Sequence, residues 1–292
     1  VMKWRETWLA DQNLSTCFYP FGGPDFLNAW LFYPKAKTYL LIGLEKAGLV
    51  PDLANMPAAS IEQGLALMHQ GFGFIMRKNF YRTIDMMKEL DQSPFTGTVP
   101  HILCQMAMLG LKPVAAYKVD LGKDGLTFKP LKPGETYLRI AIEFQDKDGS
   151  LKKVIYMKMD LKDTEMVARP GWMKYFHGMG EVSGILKAAS YLMHKETFTN
   201  IRAICLKNMK TIVEDDSCIP YKYFTKNWDV TLFGKYTGPI KLFETRGQND
   251  LVEAYRKAES RPLRFRYSYN PDDGTRNMML AKKREPAEQP RR

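Results

Sequence analysis

Thr16-Cys17-Phe18-Tyr19-Pro20-Phe21-Gly22-Gly23-Pro24-Asp25-Phe26, followed at Thr38-Tyr39-Leu40-Leu41-Ile42-Gly43-Leu44 by an unbroken apolar run, decides the fold class. Residues 15–22 read as a strand entering a Gly-Gly turn. Asp25 then stands where an N-cap belongs, ahead of a short helix over 26–33 that Pro34 ends. A continuous apolar run of seven is the pattern of a strand buried on both faces. Strand, turn, helix, strand opens a βαβ unit, so the expected class is α/β: a mixed sheet with β-hairpins, packed by helices.

Outward from this unit, Ser60 and Gln63 match a capping box, and Ile61, Leu65, Met68 and Phe72 recur at helical spacing. Further helices fit 79–90 and 101–110, and Val114 to Leu121 reads as a strand. Tyr137 to Phe144 alternates, with Leu138, Ile140, Ile142 and Phe144 on one face. Asp146-Lys147-Asp148-Gly149-Ser150 supplies a hairpin turn, and Lys153 to Leu161 returns. Helices are expected at about 182–194, 198–213 and 248–258. A second hairpin is expected from Leu263, Phe265, Tyr267 and Tyr269 through Asp272-Asp273-Gly274 to Met278-Met279-Leu280. The division is either one unit over 1–281, or lobes over 1–150 and 151–281, with a basic tail over 282–292.

The chain has 292 residues, 45% apolar, enough for a large core. No apolar run approaches the roughly 20 residues of a membrane-spanning helix. No signal-peptide core stands at Val1, and a start without Met fits an N-terminus processed in nature or trimmed in preparation. The net charge of +11 is uneven: residues 1–150 hold 16 Lys/Arg against 15 Asp/Glu, whereas 151–292 hold 27 against 17. Such a half suits a basic surface that serves solubility, or peripheral contact with an anionic membrane. Nucleic acid is not expected, because no basic cluster with interleaved aromatics accompanies the charge. If the charge serves a partner, Arg264, Arg266, Lys282, Lys283 and Arg284 should form one exposed patch.

Two loops carry the candidate chemistry. Gly22, Gly23 and Asp25 form the first, with Glu45 ending the next strand at the place of a ribose-binding acid. The spacing is not G-x-G-x-x-G, Pro24 removes a donor, and Asp25 repels phosphate, so a tight turn with an N-cap is the simpler account. The second loop is Glu214-Asp215-Asp216-Ser217-Cys218-Ile219-Pro220-Tyr221. Paired carboxylates suit a divalent ion or acid/base work. If they end a helix, its negative dipole opposes them, and Asp side chains satisfied by backbone N–H groups are the bland alternative. Of the histidines, His194 is the candidate, since a helix C-terminus favours its charge. A triad of Ser217, His177 or His194, and Asp215 lacks a G-x-S-x-G elbow. The candidate catalytic residues are therefore Asp25, Asp215, Asp216 and His194, and the candidate binding residues are Gly22, Gly23, Asp25, Ser217 and Tyr221. The two loops are expected to meet at one edge of the sheet, with His194 nearby. No metal and no cofactor are expected: Cys17, Cys104, Cys205 and Cys218 form no C-x-x-C pair, and the histidines form no H-x-x-x-H.

Tyr19 to Leu27, Ile42-Gly43-Leu44-Glu45, Lys187 to His194 and Asp215 to Tyr221 together resemble a family of exported bacterial proteins of uncharacterised activity, some of them lipoproteins. The resemblance spans most of the chain. Gly is usual in that family where this chain has Cys218, so the loop departs from the pattern. The resemblance implies a bacterial origin and a location in the periplasm or cell envelope, without implying an activity. Two functions follow as expectations: a non-catalytic binding or scaffold subunit with a protein partner in an envelope assembly, or a hydrolase using the carboxylate and histidine site. In an oxidising compartment Cys205 and Cys218 could also pair, because about 14 Å of helix would be spanned by four extended residues. Free buried thiols are the alternative.

Overall fold

The computed structural model describes residues 1–78, 93–267, 269 and 276–285, with backbone alone for 72–78. The opening unit forms as its pattern requires. β1 (Thr16–Tyr19) and β2 (Thr38–Gly43) pair in parallel, with α2 (Phe26–Phe32) between them and α1 (Met2–Trp8) ahead. Tyr39, Leu40, Leu41 and Ile42 are all buried, because the strand is covered on both faces. Side chains alternate across it. Phe18, Leu40 and Ile42 enter one core; Cys17, Tyr19, Tyr39 and Leu41 enter the other.

Among the described residues one ten-stranded sheet runs through the molecule. Its centre is five parallel strands in the order β6 (Leu151–Lys158), β2, β1, β7 (Val182–Ile185), β8 (Met209–Glu214). An antiparallel meander of β5 (Arg139–Gln145), β3 (Lys112–Gly122) and β4 (Gly125–Pro130) extends one side. β10 (Asn277–Lys283) and β9 (Trp228–Gly234) extend the other. The β5–β6 hairpin turns at 146–150, as its alternation and Asp-Gly turn foretell. The expected lobe boundary at 150 falls in this turn, and strands from both sides of it share the sheet. α1, α2 and α4 (Val99–Leu109) contribute to the core on one face. α5 (Asp163–Val167), α6 (Pro170–His177) and α7 (Thr199–Asn208) build the other. β2 lies on one side of β1 and β7 on the other, so the strand order reverses between β1 and β7, where open α/β sheets present a crevice.

Several expectations need correction. Residues 182–194 are not a helix: Val182 to Ile185 enter the slot between β1 and β8, and only Leu192–His194 make a 3₁₀ turn. A short apolar run is ambiguous by period alone, and the central slot decides it. The helix expected over 198–213 stops at Asn208; Met-Lys-Thr-Ile-Val-Glu, with its β-branched centre, continues as β8. Glu214 to Asp216 therefore leave a strand, and no helix dipole opposes them. Leu263 to Tyr267 form no strand, and β10 pairs instead with β8 and β9; the expected turn at 272–274 lies outside the described residues. β10 also runs two residues into the expected tail. Ser60 lies inside α3 (Ala58–Lys78), whose first turn is received by the Pro57 carbonyl, so no capping box starts it. Leu65 and Leu138 are about half exposed, at 51% and 47%, where burial was expected. The helix expected at 79–90 and the Phe72 side chain lie outside the described residues. Among the described residues no helix is long and apolar enough to cross a membrane.

Candidate functional site

The two candidate loops meet at the C-terminal edge of the parallel strands, and the meeting point is the chain after β7. Lys187 Nζ lies 3.0 Å from Asp25 Oδ2, and both side chains are almost fully buried, at 2% and 5% exposure. The next residue, Ala188, donates its N–H to Asp215 Oδ2 at 2.6 Å. Adjacent residues thus connect the loop after β1 to the loop after β8.

Asp25 caps α2 as its position foretells: Oδ1 accepts from Asn28 N–H at 3.3 Å and from Asn28 Nδ2 at 2.9 Å. Oδ2 accepts from Tyr19 Oη at 3.1 Å. The glycines beside it serve close packing. A Cβ at Gly22 would stand 2.5 Å from the Tyr19 ring, and one at Gly43 would stand 2.9 Å from Gly23 Cα. Gly22, Gly23 and Asp25 donate their N–H groups to the carbonyls of Tyr19, Ile42 and Gly22, so the loop offers no cradle for phosphate. Glu45 is buried beside Tyr156, whose hydroxyl donates to the Glu45 carbonyl at 2.9 Å.

The second loop is sealed in the same way. Asp215 Oδ1 accepts from Ser217 N–H at 2.8 Å. Ser217 Oγ accepts from Ala189 N–H at 2.9 Å, and the Ser217 carbonyl accepts from Tyr191 N–H at 3.0 Å. Asp216 Oδ2 accepts from the Tyr191 hydroxyl, and Oδ1 from Asn277 Nδ2 at 2.8 Å. Gln248 Nε2 donates to the Asp216 carbonyl at 2.8 Å, and Gln248 Oε1 accepts from Tyr221 N–H at 2.7 Å. The β7–α7 connection adopts strained backbone to make these bonds: Ala188, Ser190 and Tyr191 have φ of 52°, 53° and 54°. The Tyr269 hydroxyl braces it, donating to the Ala188 carbonyl at 2.6 Å.

Burial dominates the electrostatics. Desolvation pushes Asp216 up to about 7, with the neighbouring Asp215 charge adding to it and the Tyr191 and Asn277 bonds opposing it. Desolvation also raises Glu214 well above the carboxylate range. Its Oε2 accepts from Ile219 N–H at 3.2 Å, while its buried Oε1 has no hydrogen-bond partner. His194 is close, as expected: it hydrogen-bonds the Asp216 backbone, and its ring lies 5.0 Å from that of Tyr191. It stands in the 3₁₀ turn, not at the end of a long helix. Desolvation, with Arg246, Arg202 and Lys222 nearby, brings it down to about 4, so it is neutral at pH 7. His177 ends α6, exposed.

Among the described residues the space beside the second loop is closed. The void bounded by Glu214, Asp215, Asp216, Tyr221, Gln248 and Asn277 leaves no room for a water molecule. Of the carboxylate oxygens of Asp25, Glu214, Asp215 and Asp216, only Glu214 Oε1 has no partner among the described residues. No group of three or more His, Cys, Asp or Glu among the described residues could hold a metal ion. Cys205 and Cys218 are free thiols, contrary to the pairing considered above. With α7 ending at Asn208, the six residues of β8 run extended, about 20 Å, and the helical run-back does not exist. Of the named basic residues, Arg264 and Arg266 are exposed, Lys282 pairs with Asp11, Arg284 pairs with Asp229, and Lys283 donates to the Leu206 and Lys207 carbonyls at the end of α7.

Sequence reasoning missed Lys187, Tyr191, Gln248, Tyr269 and Asn277. Lys187 left a signal, as a lone cation in the apolar stretch Ile185-Leu186-Lys187-Ala188-Ala189. Comparison with family models, curated proteins and solved structures finds no match.

Proposed function

We propose that this protein is a non-catalytic binding or scaffold subunit of a bacterial cell envelope. What supports the non-catalytic reading is the sealing of the converged loops. A hydrolase needs a place for substrate and water within hydrogen-bond reach of its acid and base. Here Asp25 lies against Lys187, and Asp215 and Asp216 lie against Tyr191, Asn277 and backbone N–H groups, beside a void too small for water. The loops then act as a latch that ties β1, β7 and β8 together and fixes the surfaces around them. The envelope location rests on the resemblance of the four sequence stretches to exported bacterial proteins, and a protein partner there is the expected ligand of a scaffold.

The test pairs activity with location. Purified protein is offered chromogenic esters, phosphoesters, glycosides and peptides at pH 5–8, and no turnover above the uncatalysed rate is expected. Turnover abolished by Asp216→Asn in a variant with unchanged circular dichroism would establish the hydrolase instead. Expression of the gene with all its upstream sequence in a bacterial host, followed by fractionation, should place the protein in the envelope. Recovery in the cytosol contradicts that part.

A further inference from the structure

At the opposite end of the parallel strands a cleft of about 230 Å³ is open. α1 and the chain to Leu14 form one wall; the end of α2 and the residues leading into β2 form another. Ser183, the second residue of β7, lines it at 1% exposure. Its side chain shares a face with Ile185, which belongs to the core built by Leu9, Phe32 and Tyr33, so its hydroxyl points toward the cleft layer. Among the described residues that hydroxyl makes no hydrogen bond, although buried polar groups are ordinarily paired.

The walls are apolar and preformed. Leu9, Phe32 and Tyr33 are buried, and the Tyr33 hydroxyl is fixed on the Gly184 carbonyl at 3.0 Å. Two cations line the same space. Arg5, 19% exposed, uses Nη1 on the Leu31 carbonyl, and Lys35 donates to the Ala10 carbonyl and Asn13 Oδ1. A guanidinium has five N–H donors and an ammonium three, so both retain hydrogen-bonding capacity. Glu6, the lone carboxylate of the lining, pairs with Arg5 Nη2 at 3.8 Å, and its side chain is 68% exposed, so a ligand acid has only a solvent-exposed partner to displace.

From this we infer that the cleft binds a small organic acid: its carboxylate between Arg5 and Lys35, its apolar body against Leu9, Phe32 and Tyr33, and a distal hydroxyl or carbonyl on Ser183. At roughly 30 Å³ per water-sized group, the volume of about 230 Å³ holds about eight such groups, room for one ring with its acid group. The site lies at the edge of the sheet away from the sealed loops and stands or falls apart from the scaffold reading.

The probe is 4-hydroxybenzoate, titrated into the full chain by calorimetry beside benzoate, 4-hydroxybenzyl alcohol and tyramine. The acid with the hydroxyl should bind best, benzoate several-fold more weakly, and the neutral alcohol about tenfold more weakly, the cost of one charge-assisted contact. Tyramine should not bind. Lys35→Gln, an exposed position, should weaken both acids by about tenfold; Ser183→Ala should bring 4-hydroxybenzoate down to the level of benzoate and leave benzoate unchanged. If Ser183→Ala does not fold, the wild-type difference between the two acids makes the same point. Binding of tyramine as tight as that of the acids, affinity indifferent to Lys35→Gln, or no binding at about 10 mM, where even a millimolar ligand would register, overturns the proposal.

Discussion

The two ends of the parallel sheet spend their polar groups differently. At the C-terminal edge, three consecutive acidic residues, Glu214, Asp215 and Asp216, are buried beside Tyr191 and Asn277, Asp25 is buried against Lys187, and the space beside the acidic run is closed. At the N-terminal edge, Arg5, Lys35 and Ser183 border an open cleft of about 230 Å³. Charge density alone would have placed the site at the acidic edge. The contrast teaches that a binding site needs free hydrogen-bonding capacity beside empty space, whereas Asp215 and Asp216 direct theirs to neighbouring protein groups.

The largest expected effect breaks the latch. Lys187→Met leaves Asp25 as a buried charge without its cation, and should cost about 3–5 kcal/mol in chemical denaturation. Adding Asp25→Asn should recover part of that loss, because the stranded charge is gone. A single variant as stable as wild type would mean that the pair is solvated and the edge is open.

The pH dependence sharpens the same contrast. Asp216 has a folded value of about 7 against 3.8 unfolded, so the folded state holds the extra proton between those values. Stability from this group is therefore present below about pH 4 and declines as pH rises toward 7, by at most about 1.4 kcal/mol per pH unit. His194 and His101 act oppositely: each is lowered to about 4, and their contribution declines as pH falls through 6.5. The wild-type curve alone mixes these effects. The stability difference between wild type and Asp216→Asn isolates the carboxylate, and should move in favour of the Asn variant between pH 4 and 7. A flat difference indicates a solvated Asp216.

Smaller effects follow from packing and from surface charge. Gly43→Ala pushes a methyl to 2.5 Å from the Tyr156 hydroxyl and 2.9 Å from Gly23 Cα, and should cost about 1–3 kcal/mol in thermal or urea unfolding. Arg284→Ala removes an ion pair with Asp229 whose partners are 55% and 65% exposed, and should change stability by less than about 1 kcal/mol.

The sequence made the first βαβ unit legible because Asp25 and Pro34 punctuate a helix between two apolar strands. The β5–β6 hairpin was legible through its alternation and its Asp-Gly turn. The central strands β7 and β8 were not. Ile185, Leu186, Ala189 and Met193 fall at helical spacing, and Ile201 to Ile212 do so across the real boundary at Asn208. A strand buried on both faces shows no alternation to oppose that pattern. The convergence of Asp25 with Asp215 followed from the α/β topology, whereas their sealing did not. It depends on Tyr191, Asn277 and Gln248, which come from distant stretches, and on left-handed backbone at Ala188, Ser190 and Tyr191 that no residue type announces.

The central claim, that the acidic loops form a closed latch, is tested most directly by native-state hydrogen exchange at the amides of Ala188 and Ala189. They donate to Asp215 Oδ2 and Ser217 Oγ, at the heart of the seal. These protons should exchange only through global unfolding, with protection that falls with added denaturant in step with the whole-molecule stability. Rapid exchange through local opening, insensitive to low denaturant, would contradict the account and restore the acidic edge as an accessible site.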